Sequence, residues 1–462
     1  MTLNSITFAA FAVVAFLVHW LLGVERGRMQ NVVLIACSFV FYAWWDPRCL
    51  GLLVGVILVA YVGGLGVRNK CYGKTVLVVS IVLMLGLLGA FKYYNFFVDS
   101  FSALFGFEGE RTLYPILPVG ISFYTFMAIS YLVDVRSGKV GVERDLVVFT
   151  AYMSFFPQLL AGPIGRGAEM LPQFSVMRRF DYALAVDGCR QFLWGAFAKI
   201  VIAEEICGQR VNILYGHFDE HSGASLLLVA ALYAVQIYAD FSGYSNMAIG
   251  AGKVFGIRLR RNFDYPYFAT SVGDFWRRWH MSLTTWFRDY VYIPLGGSRV
   301  CFARVIANTW IVFLLSGLWH GAAWTFVAWG AIHAALLTIE LVAKKLGLYR
   351  NESRVAVSLR WFVSMFCVIL AWIPFRATCF SDAWQWFGGV FSTSTLRVPE
   401  FGIAALPWVV GFLLVEYMQR GKEHALVLDG WRKSFRCLAY AFVILLCVAD
   451  YQEATEFIYF QF

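Results

Sequence analysis

The sequence predicts an all-α polytopic membrane protein of about 11–13 transmembrane or re-entrant helices, since each span needs roughly 20 apolar residues to cross a bilayer. Three observations carry this prediction. The 462 residues are 60% hydrophobic and 18% aromatic, and only 15% are charged, where a soluble domain carries about 25%. Apolar runs recur along the chain at residues 5–23, 31–45, 50–66, 75–97, 113–134, 146–161, 183–206 and 224–250, with four or five more beyond residue 300. The net charge of +9 sits in the short loops between these runs, where it orients spans and gives no reason to expect a nucleic-acid partner. With no low-complexity linker and no internal repeat, residues 1–462 read as a single integral-membrane domain.

Each run can be justified in order. The first has no Lys or Arg before it and Arg26 and Arg28 after it, the reverse of a cleavable signal, so it is expected to remain as the first span. The following loops alternate: Arg48 alone; then Arg68, Lys70 and Lys74; then Arg111 among Asp99, Glu108 and Glu110; then Arg136, Lys139 and Arg144. The bias of positive loops toward the cytoplasm places the first, third and fifth loops inside and the N-terminus outside. The next loop should then be external, yet it carries Arg166, Arg178 and Arg179, and Pro157, Pro163 and Gly165 interrupt the flanking runs. Irregular backbone at membrane depth is tolerated only inside protein or beside a water-filled cavity. Residues 146–182 are therefore expected to be short or re-entrant pieces lining a cavity.

The run 224–250 places Gln236, Asp240 and Tyr244 at i, i+4 and i+8, on one helical face. Such an intramembrane acid either closes a polar network between helices or faces a substrate. Lys253, Arg258, Arg260 and Arg261 mark a cytoplasmic edge. No clean span follows over 262–297, but Trp276, Trp279, His280, Leu283, Trp286 and Phe287 repeat at helical spacing and predict one amphipathic helix with His280 on its apolar face. Residues 305–343 would reach about 58 Å as one helix, nearly twice the hydrocarbon thickness. A break is expected at Ser316–Gly317 and at Gly321, leaving His320 beside a chain break in an apolar run.

Weaker constellations read as structure. His217, Glu220 and His221 fit a metalloprotease string but lie in a polar loop. Gly250, Gly252 and Gly256 have the wrong spacing for a dinucleotide site. The ten cysteines are scattered without a C-x-x-C pair and read as small buried hydrophobes, so neither disulfides nor a metal are expected. His333, His19 and His424 read as satisfied core or cavity histidines. His280 and His320, each in a Trp-rich context, remain as a candidate site.

The segments PVGISFYTF (118–126), SFFPQLLAGP (154–163), QIYADFSGY (236–244), RNFDYPY (261–267), DFWRRWHMSL running on to RDYVYIPLGG (274–297) and SGLWHG (316–321) resemble the membrane-bound O-acyltransferase family. Within it they are most similar to the branch of the alginate O-acetyltransferase membrane subunit, whose relatives acetylate peptidoglycan and other exopolysaccharides. The teichoic acid D-alanyltransferase is a more distant relative. The resemblance implies that His320 is the catalytic histidine and His280 a second functional one. It also implies a tunnel at the centre of the helices, through which an acetyl group passes from a cytosolic thioester, acetyl-CoA or another acyl donor, to an extracytoplasmic glycan or to a periplasmic or membrane-anchored acetyltransferase partner. No tightly bound cofactor is expected, and the location is the inner membrane of the cell. Arg277, Arg278, Arg288, Asp240 and Trp319 are the substrate-binding candidates. A transporter or flippase would also accommodate many spans, an intramembrane acid and broken helices, but it gives no reason for two histidines in Trp-rich motifs.

The charge alternation makes a direct prediction. In a cysteine-free background, a single cysteine at position 70 should resist a membrane-impermeant thiol reagent in intact cells, while one near the N-terminus should react. Labelling at position 70 would overturn the orientation.

Overall fold

The structure, a computed structural model, describes residues 1–22, 27–106, 118–349 and 353–452. Arg26, Glu108, Glu110 and Arg111, which the charge alternation uses, lie outside the described residues. Among the described residues there are helices and turns but no strand. Among the described residues six helices are long and apolar enough to cross a membrane, and three shorter apolar helices accompany them. The chain is thus an all-α multi-pass membrane protein. It forms two compact units, Met1–Phe192 with Met247–Arg260, and Leu193–Asn246 with Arg261–Phe462.

In the first unit α1 (Ile6–Leu22), α2 (Gly27–Ala43) and α3 (Pro47–Gly66) come first along the chain. The start of α3 is set by Pro47 in its first turn and by Asp46, whose side chain accepts from the Arg48 amide. Next, α4 (Gly73–Leu88) runs through a π-helical turn into α5 (Tyr94–Phe105). Then α6 (Ile121–Ser137) ends at Gly138, whose left-handed backbone lets its amide reach Asp134.

The next stretch consists of short helical pieces, as expected. Helix α7 (Leu146–Ser154) is capped by Asp145 and stops at Phe155–Phe156–Pro157, and α8 (Phe156–Leu159) is a single turn. At about 1.5 Å per residue α7 rises only some 13 Å, too little to cross. The break is satisfied internally. Gln158 Nε2 donates to the Tyr152 carbonyl at 2.7 Å, Tyr152 Oη donates to the Gly165 carbonyl at 3.1 Å, and the Phe156 amide donates to Ser38 Oγ at 3.1 Å. Gly167, which opens α9 (Gly167–Ser175), lies against Tyr131 and Val140, so the chain returns to the end from which it entered. There Gln173 exchanges two hydrogen bonds with the Arg258 backbone, Glu169 pairs with Arg260, and Gln30 Nε2 donates to the Arg178 carbonyl. Arg166, Arg178 and Arg179 thus follow short helices and not a helix of span length.

Helix α10 (Tyr182–Phe197) continues through an 11-residue π-helical stretch, Ala198–Gly208, into α11 (Gln209–Leu214). The 32-residue α12 (Gly223–Val254) carries Gln236, Asp240 and Tyr244 on one continuous helix, as expected. In the second unit the 262–297 segment departs from the single helix that periodicity predicts. It holds two seven-residue helices, α13 (Val272–Arg278) and α14 (Met281–Phe287), separated by Trp279 and His280. The remaining elements are α15 (Phe302–His320), α16 (Trp324–Lys345), α17 (Arg354–Arg376), α18 (Phe380–Val390), α19 (Leu406–Gln419) and α20 (Lys433–Ala449).

The long apolar run breaks at Gly321, not at Ser316–Gly317. Gly317 sits inside α15, where an added Cβ would meet the Phe326 carbonyl of α16, and Gly330 of α16 faces the Phe313 carbonyl in the same way. These glycines let two antiparallel backbones touch, the small-residue contact by which helices associate in lipid. Gly317→Val should therefore separate α15 from α16 and destabilise the protein by about 1–3 kcal/mol, the usual cost of overpacking. Thermal unfolding in detergent checks this against Gly55→Ala, a position with nothing within 4 Å of its added Cβ. Equal unfolding temperatures for the two variants would contradict it.

Candidate active site

Both candidate histidines belong to the second unit, and the kink between α13 and α14 positions the first of them. His280 has φ 42° and ψ 54°, a left-handed conformation that only it and Tyr265 adopt among described non-glycine residues. Such a backbone costs on the order of 1–3 kcal/mol and persists only where surrounding contacts dictate it. Two backbone bonds do so here: the Met281 amide donates to the Asn262 carbonyl at 2.8 Å, and the Asp264 amide to the Arg278 carbonyl at 2.9 Å. The Trp279 indole anchors the kink against Trp372 and Phe263, with ring centres 4.9 and 5.1 Å away.

The His280 side chain is buried, with the Phe241 ring edge-on at 4.6 Å. Its Nδ1 lies 3.0 Å from Asn262 Oδ1, which also accepts from the Ser282 amide at 3.2 Å and from Ser282 Oγ at 2.9 Å. Asn262 Nδ2 donates to Ser245 Oγ at 3.1 Å. His280 is outside every span-length helix, and its burial pushes the imidazole from an ordinary value of 6.5 down to about 3. The ring is therefore neutral at any physiological pH.

His320 is the last residue of α15, buried among Trp319, Trp329 and Phe375, with ring centres 4.9, 5.0 and 5.4 Å away. Gly321 follows because the Phe326 ring occupies the space that a Cβ would need. Trp319 lies between the two histidines, 6.0 Å from His280 by ring centre, so the structure brings His280, Trp319 and His320 into one aromatic cluster. His333 reads as expected. It is fully buried among rings, and its Nδ1 faces Trp276 Nε1 at 3.3 Å.

One turn from each histidine lies a cavity of about 300 Å³, lined by Trp276, Leu283, Thr284, Phe313, Ser316 and Leu337 among others. Arg277, Arg288 and Lys344 also line it, next to their own carboxylates Asp274, Asp289 and Glu340. Buried Glu340 further accepts from the Gly273 amide at 2.8 Å and so ties α13 to α16. The three predicted arginines separate at this point. Arg277 and Arg288 line the cavity, whereas Arg278 pairs with Asp274 at 3.1 Å and Asp264 at 3.7 Å and braces the segment that holds the kink.

Asp240 is placed differently from the histidines. Its Oδ1 lies 2.5 Å from Nζ of the fully buried Lys199, whose other carboxylate is Glu204 at 2.9 Å. Gly243 allows this approach, since a Cβ there would crowd Lys199 and the Gly195 carbonyl. The arrangement is an ion network joining α12 to the π-helical stretch. Lys199, Asn262 and Glu340 are the site and scaffold residues that sequence reasoning missed. The signal available for Lys199 was an ionisable residue inside an apolar run. His217 and Glu220 are exposed and pair with each other in a loop, and no metal-ligating cluster is found among the described residues.

The family model described as MBOAT, membrane-bound O-acyltransferase family, matches residues 142–373, which include both histidines. A Pseudomonas putida protein named Probable alginate O-acetylase AlgI is 36% identical over 94% of this chain and 95% of its own length. The Helicobacter pylori peptidoglycan O-acetyltransferase is 34% identical over 80% of this chain and 75% of its own. The Bacillus subtilis teichoic acid D-alanyltransferase is 28% identical over 57% and 67%. With one model spanning half the sequence and a relative aligned along nearly all of it, this chain belongs to the membrane-bound O-acyltransferase family.

Proposed function

We propose that this protein is an O-acetyltransferase of the cytoplasmic (inner) membrane. It takes an acetyl group from a cytosolic thioester, acetyl-CoA, and delivers it through the protein to hydroxyls of an extracytoplasmic polysaccharide, directly or by way of a partner acetyltransferase. Alginate, another exopolysaccharide or peptidoglycan is the acceptor. The observation that carries this reading is the pair of buried imidazoles flanking Trp319, inside the segment that matches the family. The names of the relatives support the acetyl group and the glycan.

Acyl transfer from a thioester to a hydroxyl needs a base for the hydroxyl proton and a donor for the oxyanion that develops on the carbonyl. His320, at the end of α15, is the base in this scheme. In this scheme the Trp319 indole N–H is the donor for the reacting carbonyl, and His280 is the second imidazole beside it. The cavity one turn away suits an apolar acyl arm, with Arg277 and Arg288 at its lining able to receive phosphate groups bidentately. Donor and acceptor lie on opposite sides of a bilayer, so a passage for the acyl group alone avoids moving the whole donor across. Asp240, already held by Lys199, acts on substrate through the shape of α12.

Two measurements test this reading. His320→Ala should lower acetyl transfer by a factor of about 10² to 10⁴, the usual contribution of general acid–base catalysis. His320→Gln should be nearly as inactive while reaching the membrane at normal levels. Wild-type glycan acetylation by well-expressed His320→Ala would place the base elsewhere, with His280 next. For the donor site, Arg277→Gln combined with Arg288→Gln should raise KM for acetyl-CoA by roughly ten-fold or more, the scale of one lost charge-assisted hydrogen bond. Arg278→Gln should act on stability and leave that KM alone. An unchanged KM in the double variant would remove both arginines from donor binding.

A further inference from the structure

We propose that Asn262 is a positioning residue that fixes His280 as the Nδ1–H tautomer and thereby leaves Nε2 as the nitrogen carrying the lone pair. Three groups converge on Asn262 Oδ1: the Ser282 amide, the Ser282 hydroxyl and His280 Nδ1. The Ser282 amide decides the matter. A backbone N–H can only donate, so the atom it meets must be the amide oxygen and not the nitrogen. The opposite end of the side chain agrees, because Nδ2 then donates to Ser245 Oγ. An oxygen that only accepts requires a proton on the imidazole nitrogen facing it. His280 Nδ1 therefore bears the hydrogen, and in a neutral ring Nε2 is the acceptor.

The same contact explains why Asn262 is anchored so firmly. Ser282 lies in the first turn of α14, where amides have no partner within the helix. His280 occupies the capping position, but its side chain does not cap. Asn262, twenty residues before Ser282, supplies the missing acceptor with its side chain and receives the Met281 amide with its backbone carbonyl. One residue thus caps α14, holds the left-handed backbone of His280 and sets its tautomer. The catalytic consequence rests on the proposed acyl transfer, in which an Nε2 lone pair can take a proton from the acceptor hydroxyl or from a water that relays it. The tautomer assignment stands without that reaction.

The test is ¹⁵N NMR of histidine-labelled full-length protein in lipid bilayers, with His280→Gln used to identify the His280 signals. The wild-type ring should be protonated at Nδ1. Asn262→Asp keeps the acceptor and should retain that tautomer, and Asn262→Ala should release it to a mixture. A wild-type ring protonated at Nε2, or a tautomer unchanged in Asn262→Ala, would overturn the proposal. In acetyl transfer, Asn262→Ala should lower kcat about ten-fold or more with little change in KM. Asn262→Asp should recover much of that loss and move the acidic limb of the kcat/KM profile to higher pH, because a carboxylate favours the imidazolium and the neutral ring is then lost at a higher pH. Should Asn262→Ala fail to accumulate, Asn262→Asp alone decides, since a purely structural role would leave the acidic limb in place. Full turnover by His280→Gln would remove His280 from the chemistry and leave the NMR assignment untouched.

Discussion

A chain that leaves helical geometry in apolar surroundings must satisfy its freed N–H and C=O groups from within the protein. That constraint shapes the stretch at 146–166 and, most of all, the kink at His280. Residues 262–264 run beside 278–281 and supply both a backbone carbonyl and a backbone amide to the flanks of the kink. Without these bonds α13 and α14 would join into one helix, as their periodicity invites, and His280 would be one more apolar-face residue. With them the imidazole is turned toward Trp319. The strain in one residue is held by contacts that lie outside it.

The same requirement governs the hairpin at 146–166 and the turn at Gly321. In the hairpin, Gln158 and Tyr152 replace the hydrogen bonds that an unbroken helix would have made. At Gly321 the aromatic ring of Phe326 closes over the turn, and the two following residues lead directly into α16. His320 is therefore held at the end of a helix whose position depends on glycine contacts within the membrane-buried pair α15 and α16. Two histidines reach one cluster by different means, His280 through side-chain hydrogen bonds and His320 through helix packing. The first should be sensitive to polar substitutions far away in sequence, and the second to changes of volume.

Much of this was legible in the sequence. The length and hydropathy of the runs predict the spans, because a bilayer imposes one thickness on every crossing. The prolines at 157 and 163 announce the hairpin for an equally local reason. What stayed hidden depends on pairings between distant residues. A glycine reads alike whether it breaks a helix or lets two helices touch, so sequence alone cannot tell the contact at Gly317 from the break at Gly321. The spacing of Trp276, Leu283 and Trp286 survives a two-residue interruption, so periodicity cannot report the kink. Lys199 meets Asp240 across 41 positions and Asn262 meets His280 across 18, and neither partner names the other. The motif RNFDYPY was visible as a resemblance, yet its asparagine has a physical role only once α14 is seen to begin where it does.

The buried network of Lys199, Asp240 and Glu204 shows why an intramembrane charge need not touch substrate to be indispensable. Removing one member would strand the others in a medium of low dielectric, a cost of about 3–5 kcal/mol, whereas replacing the whole set with apolar side chains can be nearly neutral. The energetic case for keeping it is thus weak, and the structural case is stronger. It joins α12 to the buried π-helical stretch Ala198–Gly208. A charge pair 2.5 Å long also fixes register between the two elements, which apolar contacts alone do not. Helix α12 carries Phe241 and Ser245, the residues that meet the His280 ring and the Asn262 amide. By setting the register of α12, the ion network sets the floor on which the first histidine stands.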